Sequence, residues 1–251
     1  MKKILFILIF IICIVPVPAQ KIYDQVEKGN SHFMNGEYEL AIKEYEAVID
    51  SGYESAELYY NLGNAYYKSN KFTSALVNYE RANLLDPGDE EILHNLEMAR
   101  QFVVDEIDKL PEFLPKIWYR RFVSLLKTNQ WAYISMITFP LSLLFFLLYL
   151  FLRRIRMRKI SFWLAIVIMI ISLSSLLFSY HQKKMVYDHA YAIIMTPSVT
   201  ILSSPDDSGT ELFQLHEGTK VEIIDQLGEW KEIKLSDGNV GWMRTNDLVR
   251  L

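Results

Sequence analysis

The stretch that decides the fold is residues 59–88, YYNLGNAYYKSNKFTSALVNYERANLLDPG. An earlier stretch, residues 25–45, QVEKGNSHFMNGEYELAIKEY, repeats its pattern. Gly29-Asn30 recurs as Gly63-Asn64, and Tyr45 recurs as Tyr79, each 34 residues later. A fixed period of this length predicts a stack of helical repeats in which each copy contributes one pair of helices, A and B.

The 34-residue period resembles that of the tetratricopeptide repeat family. The small residues Gly63 and Ala75 indicate that helices A and B cross closely, and Pro87 ends helix B because proline cannot continue a helix. The first copy departs from the pattern, with His32 where the second has Tyr66 and Val48 where it has Ala82. The second copy matches the family at Tyr59, Leu62, Gly63, Tyr66, Ala75, Tyr79, Ala82 and Pro87.

A third copy begins but does not continue. Asn95-Leu96 matches Asn61-Leu62, yet Glu97 occupies the glycine position and no second helix follows. We therefore predict that residues 89 to about 108 form a capping helix and that the repeats with their cap span residues 21–108. Two repeats and a cap are about the minimum that buries a continuous core.

The concave surface of such a stack is lined by helix A, and the family resemblance implies that it receives an extended peptide. Packing between repeats explains Phe33 and Tyr67 equally well, whereas the paired Asn30 and Asn64 are harder to explain by packing. The candidate contacts are Asn30, Phe33, Tyr60, Asn64, Tyr67 and Lys68.

Three apolar stretches interrupt the chain. Residues 1–19 combine Lys2 and Lys3 with an apolar run and the compact residues Val17 and Ala19, which predicts a secretory signal peptide cleaved before Gln20. The alternative is an uncleaved signal anchor. Either way, the chain from Lys21 onward is expected outside the cytoplasm.

Two charge-free stretches, residues 131–152 and 160–180, are each long enough to cross a bilayer as a helix. The link between them, residues 153–159, carries five Arg or Lys side chains, so the positive-inside rule predicts a cytoplasmic turn. Ser172, Ser175 and Ser179 are expected to pack the hairpin. Because neither stretch contains a charged residue, we do not expect a channel or pump.

A basic, amphipathic linker, residues 109–130, precedes the hairpin. Cations such as Lys116 and Arg120 alternate with apolar residues such as Trp118 and Phe122. This pattern suits a helix lying in the lipid headgroup layer. A simple amphipathic lead-in to the first span explains it equally well.

Residues 190–251 are predicted to form a small all-β domain of five or six strands, closed or half-closed into a barrel. They resemble the bacterial SH3 family, which implies a recognition module for wall peptides or protein segments. Trp230 and Trp242 are candidates for an exposed ligand platform, although in so small a barrel we expect at least one in the core. The resemblance is carried by residues 199–205 and by Leu215-His216-Glu217-Gly218, Gly228-Glu229-Trp230, Asp237-Gly238 and Gly241-Trp242.

Charge and motif content exclude several function classes. Residues 21–110 carry 8 Lys or Arg against 18 Asp or Glu, and residues 190–251 carry 5 against 10. Such acidic modules repel phosphate, so we do not expect nucleic-acid binding. Cys13 is the only cysteine, the five histidines are dispersed, and the common nucleotide, hydrolase and zinc motifs are missing from the sequence. The sequence nominates no catalytic residue, no metal ligand and no cofactor.

The predicted fold class is multidomain: an all-α helical repeat, a two-helix transmembrane hairpin and a C-terminal all-β SH3-like barrel. This order resembles the BatE family of the bacterial aerotolerance operon. The resemblance implies a complex with von Willebrand A-domain membrane proteins and a MoxR-type ATPase, on the periplasmic face of the bacterial inner membrane, linked to oxidative-stress tolerance. We therefore expect a non-enzymatic adaptor. The alternatives are a peptidoglycan-binding receptor and a cryptic peptidase or amidase, for which no residue can be nominated.

Overall fold

The computed structural model describes residues 18–108, 110, 113–126, 128–188 and 191–251. Apart from its last two residues, the predicted signal peptide lies outside these described residues. The chain divides into two compact units, one ending at Ala82 and the other beginning at Asn83.

The first unit is helical. Its elements are α1 (Pro18–Met34), α2 (Tyr38–Asp50), α3 (Ala56–Lys68) and α4 (Phe72–Leu85), which continues past the unit boundary. Gly36 (φ 78°) and Asn70 (φ 60°) occupy equivalent left-handed positions between the paired helices. Such a conformation ends a helix without steric cost at glycine and at little cost at asparagine. Ser55 caps α3, its hydroxyl oxygen accepting from the Leu58 amide.

The repeat glycines explain how the helices pair. A Cβ at Gly29 would lie 2.4 Å from the ring of Tyr45, and one at Gly63 would lie 2.7 Å from the ring of Tyr79. Each tyrosine ring therefore lies directly on the backbone of helix A. Both rings are almost fully buried, as are Ala41 and Ala75 at the helix crossings. The predicted helical repeats are confirmed at this level.

The second unit continues with α5 (Glu90–Arg100) and a helix α6 (Leu114–Val123). Asp89 caps α5 by accepting from the Glu91 and Ile92 amides. The expectation of a capping helix reaching about residue 108 is wrong, because α5 ends at Arg100 and residues 103–108 lie outside helix and strand. β-branched Val103 and Val104 disfavour a further helical turn, and side chains of this segment instead contact the β-sheet.

Two long apolar helices follow, α7 (Thr128–Phe151) and α8 (Ile155–Asp188). Asn129–Phe151 and Ile155–Lys184, with mean hydropathy 2.2 and 2.5, are long and apolar enough to span a membrane. The connection is shorter than the expected basic turn of residues 153–159, because α8 begins at Ile155. Arg156, Arg158 and Lys159 lie within the first turns of α8, since arginine and lysine are good helix formers.

Small polar residues form the interface between α7 and α8. Ser135 Oγ lies 3.3 Å from Ser172 Oγ, and Ser172 Oγ also lies 3.3 Å from the Ser135 carbonyl oxygen. Ser142 and Ser175 are buried too, as expected for Ser175. At one end of the hairpin an aromatic cluster closes the interface: Tyr119, Phe122, Trp131 and Phe178.

The C-terminal part forms one antiparallel sheet with strand order β3-β2-β6-β5-β4-β1-β7. It has seven strands, not the expected five or six, because the short strands at the two ends of residues 190–251, Tyr191–Ile194 and Leu248–Arg250, carry too little pattern to be recognised. The strands are β1 (Tyr191–Ile194), β2 (Ser198–Leu202), β3 (Glu211–His216), β4 (Lys220–Leu227), β5 (Trp230–Lys234), β6 (Val240–Arg244) and β7 (Leu248–Arg250).

One apolar core lies against this sheet, so the sheet must curve around it. Ile194, Ile201, Val221, Ile233 and Met243, from five different strands, belong to a single buried cluster. The expectation that Trp230 or Trp242 belongs to this core is wrong. Alternation along a strand places Met243 inward, which turns its neighbour Trp242 to the outer face, where it is only half-buried.

Candidate functional site

The repeat asparagines are held by the repeat tyrosines. Tyr45 donates its hydroxyl hydrogen to Asn30 Oδ1 over 2.8 Å, and Tyr79 donates to Asn64 Oδ1 over 2.7 Å. Asn30 Nδ2 also donates to Glu27 Oε1 over 3.3 Å. The paired asparagines, which are harder to explain by packing from the sequence, thus have a structural role that fixes their amide orientation.

Burial raises the pKa of two tyrosines of the repeats, Tyr45 and Tyr59. Burial, and then the nearby Glu27 carboxylate, raise the pKa of Tyr45 to about 12. Burial, and then a 3.0 Å hydrogen bond to Glu54, raise the pKa of Tyr59 to about 12, although Arg81 over its ring opposes the shift. The hydroxyl of Tyr45 therefore stays a hydrogen-bond donor at physiological pH.

A cavity of about 250 Å³ opens beside the two asparagines. Among the predicted contacts, Asn30, Phe33 and Asn64 line it together. Met34, Tyr45 and Asn61 complete the lining and were missed. Helical spacing could have identified Met34 and Asn61, because Met34 lies four residues after Asn30 and Asn61 three residues before Asn64.

The other predicted contacts lie apart from this cavity. Tyr67 packs edge-to-face on Phe72 with ring centroids 5.3 Å apart, as Phe33 packs on Tyr38 at 5.4 Å. These equivalent pairs join helix A to helix B within each repeat. Tyr60 contacts the Tyr79 ring at 6.1 Å, and Lys68 is an exposed residue at the end of α3.

A second candidate surface lies on the outer face of the sheet. Trp230 pairs with Arg244 across β5 and β6, and Glu232 pairs with Trp242, so both tryptophans share one face at diagonal positions. The Arg244 guanidinium lies 5.3 Å from the Trp230 ring centroid and donates to both carboxylate oxygens of Asp207, at 2.7 and 2.9 Å. This surface, formed by Trp230 and Trp242, is called the tryptophan platform, and the charged pair Arg244 and Asp207 lies at its edge.

A further polar contact was not foreseen. Asp105, which follows α5, accepts hydrogen bonds from the Thr219 hydroxyl and the His216 amide. Burial opposes ionisation of the Asp105 carboxyl, but the hydrogen bonds from Thr219 and His216 outweigh it, so the pKa of Asp105 lies below its ordinary range. Its side chain is only 14% exposed.

Comparison with known proteins identifies the helical part. A family model of the TPR repeat matches residues 29–70, and a model of the tetratricopeptide repeat matches residues 56–89. A search of curated proteins finds no match for the chain. Tetratricopeptide repeats are present, and such repeats present extended concave surfaces to protein partners.

Proposed function

We propose that this chain is a non-enzymatic, membrane-anchored adaptor whose repeats bind an extended segment of a partner protein. The observation that carries the proposal is the 250 Å³ cavity with Asn30, Asn61 and Asn64 in its lining. Asparagine amides both donate and accept, as required to bind a peptide backbone. A cavity this small lies below the range of about 300–1,000 Å³ typical of small-molecule sites, and it suits one or two peptide side chains.

The apolar side chains in the lining favour a partner segment that places an apolar side chain in the cavity. Phe33 and Met34 supply apolar surface, and the Met34 side chain is 83% exposed. Methionine adapts its shape to varied ligands. The tyrosine hydrogen bonds hold Asn30 and Asn64 in place before binding, which lowers the entropic cost of recognition.

The adaptor can be tested with a charge placed in the cavity. Full-length chain carrying Met34→Glu, purified from native membranes in mild detergent, should lose a partner that the unchanged chain retains. The matched control is Tyr23→Glu, which adds the same charge at another exposed residue of α1. Equal recovery of the partner by both variants contradicts the proposal.

Membrane anchoring by α7 and α8 is the second part of the proposal. Their length and hydropathy, their mostly apolar exposed faces and the Ser135–Ser172 contact support a transmembrane hairpin. The arginines around the connection favour a cytoplasmic turn, with the repeats and the sheet on the periplasmic face of a bacterial inner membrane. A reporter active only outside the cytoplasm, fused after Leu251 or after Leu110, should be active in both positions. Inactivity of either fusion contradicts the hairpin.

The partner class follows from the resemblance to the BatE family. On that basis the partners are von Willebrand A-domain membrane proteins and a MoxR-type ATPase system, in an aerotolerance complex that acts in oxidative stress. Copurification of these proteins with the full-length chain, and their loss with Met34→Glu, would support this assignment. Retention of the complex by Met34→Glu would place the contact outside the cavity.

A cell-wall receptor is the alternative function. The half-buried tryptophans Trp230 and Trp242 on the outer face of the sheet favour it, because aromatic rings offer flat faces on which ligands can stack. The full-length chain should then sediment with purified peptidoglycan, and Trp242→Ala should abolish sedimentation. If the unchanged chain stays in the supernatant, the receptor function is excluded.

A further inference from the structure

The segment that follows α5, residues 103–108 and 110, is here called the strap. Val103, Asp105 and Ile107 are half-buried, whereas Val104, Glu106 and Asp108 are exposed. This alternation with a period of two is typical of an extended chain with one face against a surface. The strap therefore lies on the sheet as a peptide ligand would.

The first anchor of the strap is the Asp105 carboxylate. Its Oδ2 accepts from the His216 backbone amide at 2.7 Å and from the Thr219 hydroxyl at 2.6 Å, and its Oδ1 lies 2.7 Å from His216 Nδ1. Thr219 is 3% exposed, so its hydroxyl is buried in the connection between β3 and β4. Three polar groups of the β3–β4 turn thus converge on one carboxylate, and donors to an ionised group form strong hydrogen bonds.

The second anchor is apolar, and the third is a main-chain contact. Ile107 packs against the buried core of the sheet. The Leu110 amide donates to the Ser236 carbonyl oxygen over 3.1 Å, in the turn between β5 and β6. Because β4 and β5 pair in antiparallel fashion, Lys220 at the start of β4 and Lys234 at the end of β5 lie at the same end of the sheet. The strap crosses that end.

These contacts together match three features of a peptide: an acidic residue, an aliphatic residue two positions later, and an extended backbone. We propose that this end of the sheet is a recognition site for acidic peptide segments of the form Asp-x-aliphatic, and that the strap occupies it in cis. A partner segment of the same chemistry binds there by displacing the strap. The site shares no residue with the tryptophan platform or with the lining of the cavity in the repeats.

Occupation in cis sets how strongly a partner must compete. A tethered segment acts at an effective concentration of order 1 mM, so a free peptide binds the unchanged chain only weakly. Weakening the strap by Asp105→Asn, which keeps the size of the side chain and removes its charge, should open the site. Glu106→Gln makes the same chemical change on the exposed face of the strap and is the matched control.

The test uses a fluorescent peptide of residues 102–110, FVVDEIDKL, and full-length chain in detergent, followed by fluorescence anisotropy. We expect saturable binding to the Asp105→Asn chain at least about tenfold tighter than to the unchanged or Glu106→Gln chain. A peptide with Asn in place of its Asp, or the added substitution Thr219→Val in the chain, should remove that binding. Absence of binding to the Asp105→Asn chain, or equal binding to all chains, overturns the proposal.

A second measurement covers the case in which Asp105→Asn disturbs the sheet. Unlabelled peptide at several times the effective concentration, a few millimolar, should displace the strap of the unchanged chain. Amide hydrogen exchange at Leu110 should then accelerate while exchange in β4 and β5 stays constant. Unaltered exchange at Leu110 at saturating peptide shows that the strap is a fixed part of the fold and overturns the proposal.

Discussion

Tyr79 of α4 donates its hydroxyl hydrogen to Asn64 Oδ1 over 2.7 Å. Its ring lies against Gly63, which precedes Asn64 on α3. One tyrosine of α4 thus fills the helix crossing and orients an amide of the cavity lining. Tyr45 does the same for Asn30 in the first repeat. Core packing and the candidate site are therefore coupled through a single side chain in each repeat.

That coupling predicts the effect of removing the hydroxyl. Tyr79→Phe leaves Asn64 Oδ1 without its buried donor and should lower the free energy of unfolding by about 1 kcal/mol. Urea unfolding followed by circular dichroism measures the change. Tyr23→Phe, at an exposed ring, is the control. An unchanged midpoint for Tyr79→Phe would mean that the hydrogen bond does not stabilise the repeat.

The glycine position gives a prediction in which two effects oppose each other. Gly63→Ala improves helix propensity by about 1 kcal/mol, but its Cβ would lie 2.7 Å from the Tyr79 ring. Overpacking costs typically about 1–3 kcal/mol, so we expect a net loss of stability. Gly88→Ala, whose Cβ would meet only the Ser124 carbonyl oxygen at 3.5 Å, should be nearly neutral. Thermal unfolding distinguishes them, and a more stable Gly63→Ala chain refutes the close crossing.

The buried tyrosines predict alkaline sensitivity of the repeats. Burial raises the pKa of Tyr45 and Tyr59 to about 12, against about 10 in an unfolded chain. A raised pKa in the folded state contributes stability that is complete below pH about 10 and is lost as the pH rises towards about 12. Urea midpoints should fall over this window. Tyr59→Phe should flatten the fall, whereas Tyr23→Phe should leave it unchanged; identical slopes contradict the burial effect.

The placement of the sheet residues predicts different roles for neighbours on β6. Met243 is fully buried, so Met243→Ala should cost about 2–5 kcal/mol of stability. Trp242 lies half-buried on the outer face, so Trp242→Ala should cost less stability than Met243→Ala. Thermal unfolding monitored in the near ultraviolet gives both values. A larger loss for Trp242→Ala would place that ring in the core.

The sequence was sufficient for the elements whose pattern is local. The 34-residue period identified the repeat helices, and the charge-free runs located the apolar helices, because both signals depend on spacing along the chain alone. Asp237-Gly238 predicted a hairpin turn, and Gly238 adopts φ 95° between β5 and β6. These features require no knowledge of distant contacts.

The missed features depend on contacts that sequence spacing does not encode. Asp105 meets His216 across 111 positions, so the local sequence does not indicate that this segment leaves the helix to contact the sheet. The three-residue strand β7 carries too little pattern to be recognised and exists through its pairing with β1. The structural role of Asn30 was missed because the partner hydroxyl of Tyr45 lies on a different helix.

The most direct test of the adaptor is a photocrosslinking measurement in living cells. A photoreactive phenylalanine derivative at Met34, in the cavity lining, should give a discrete adduct with one partner protein. The same group at Lys43, an exposed residue of α2 that is not part of that lining, should not give this adduct. Adducts of equal pattern from both positions, or none from Met34, contradict the claim that the repeats bind a partner segment through this cavity.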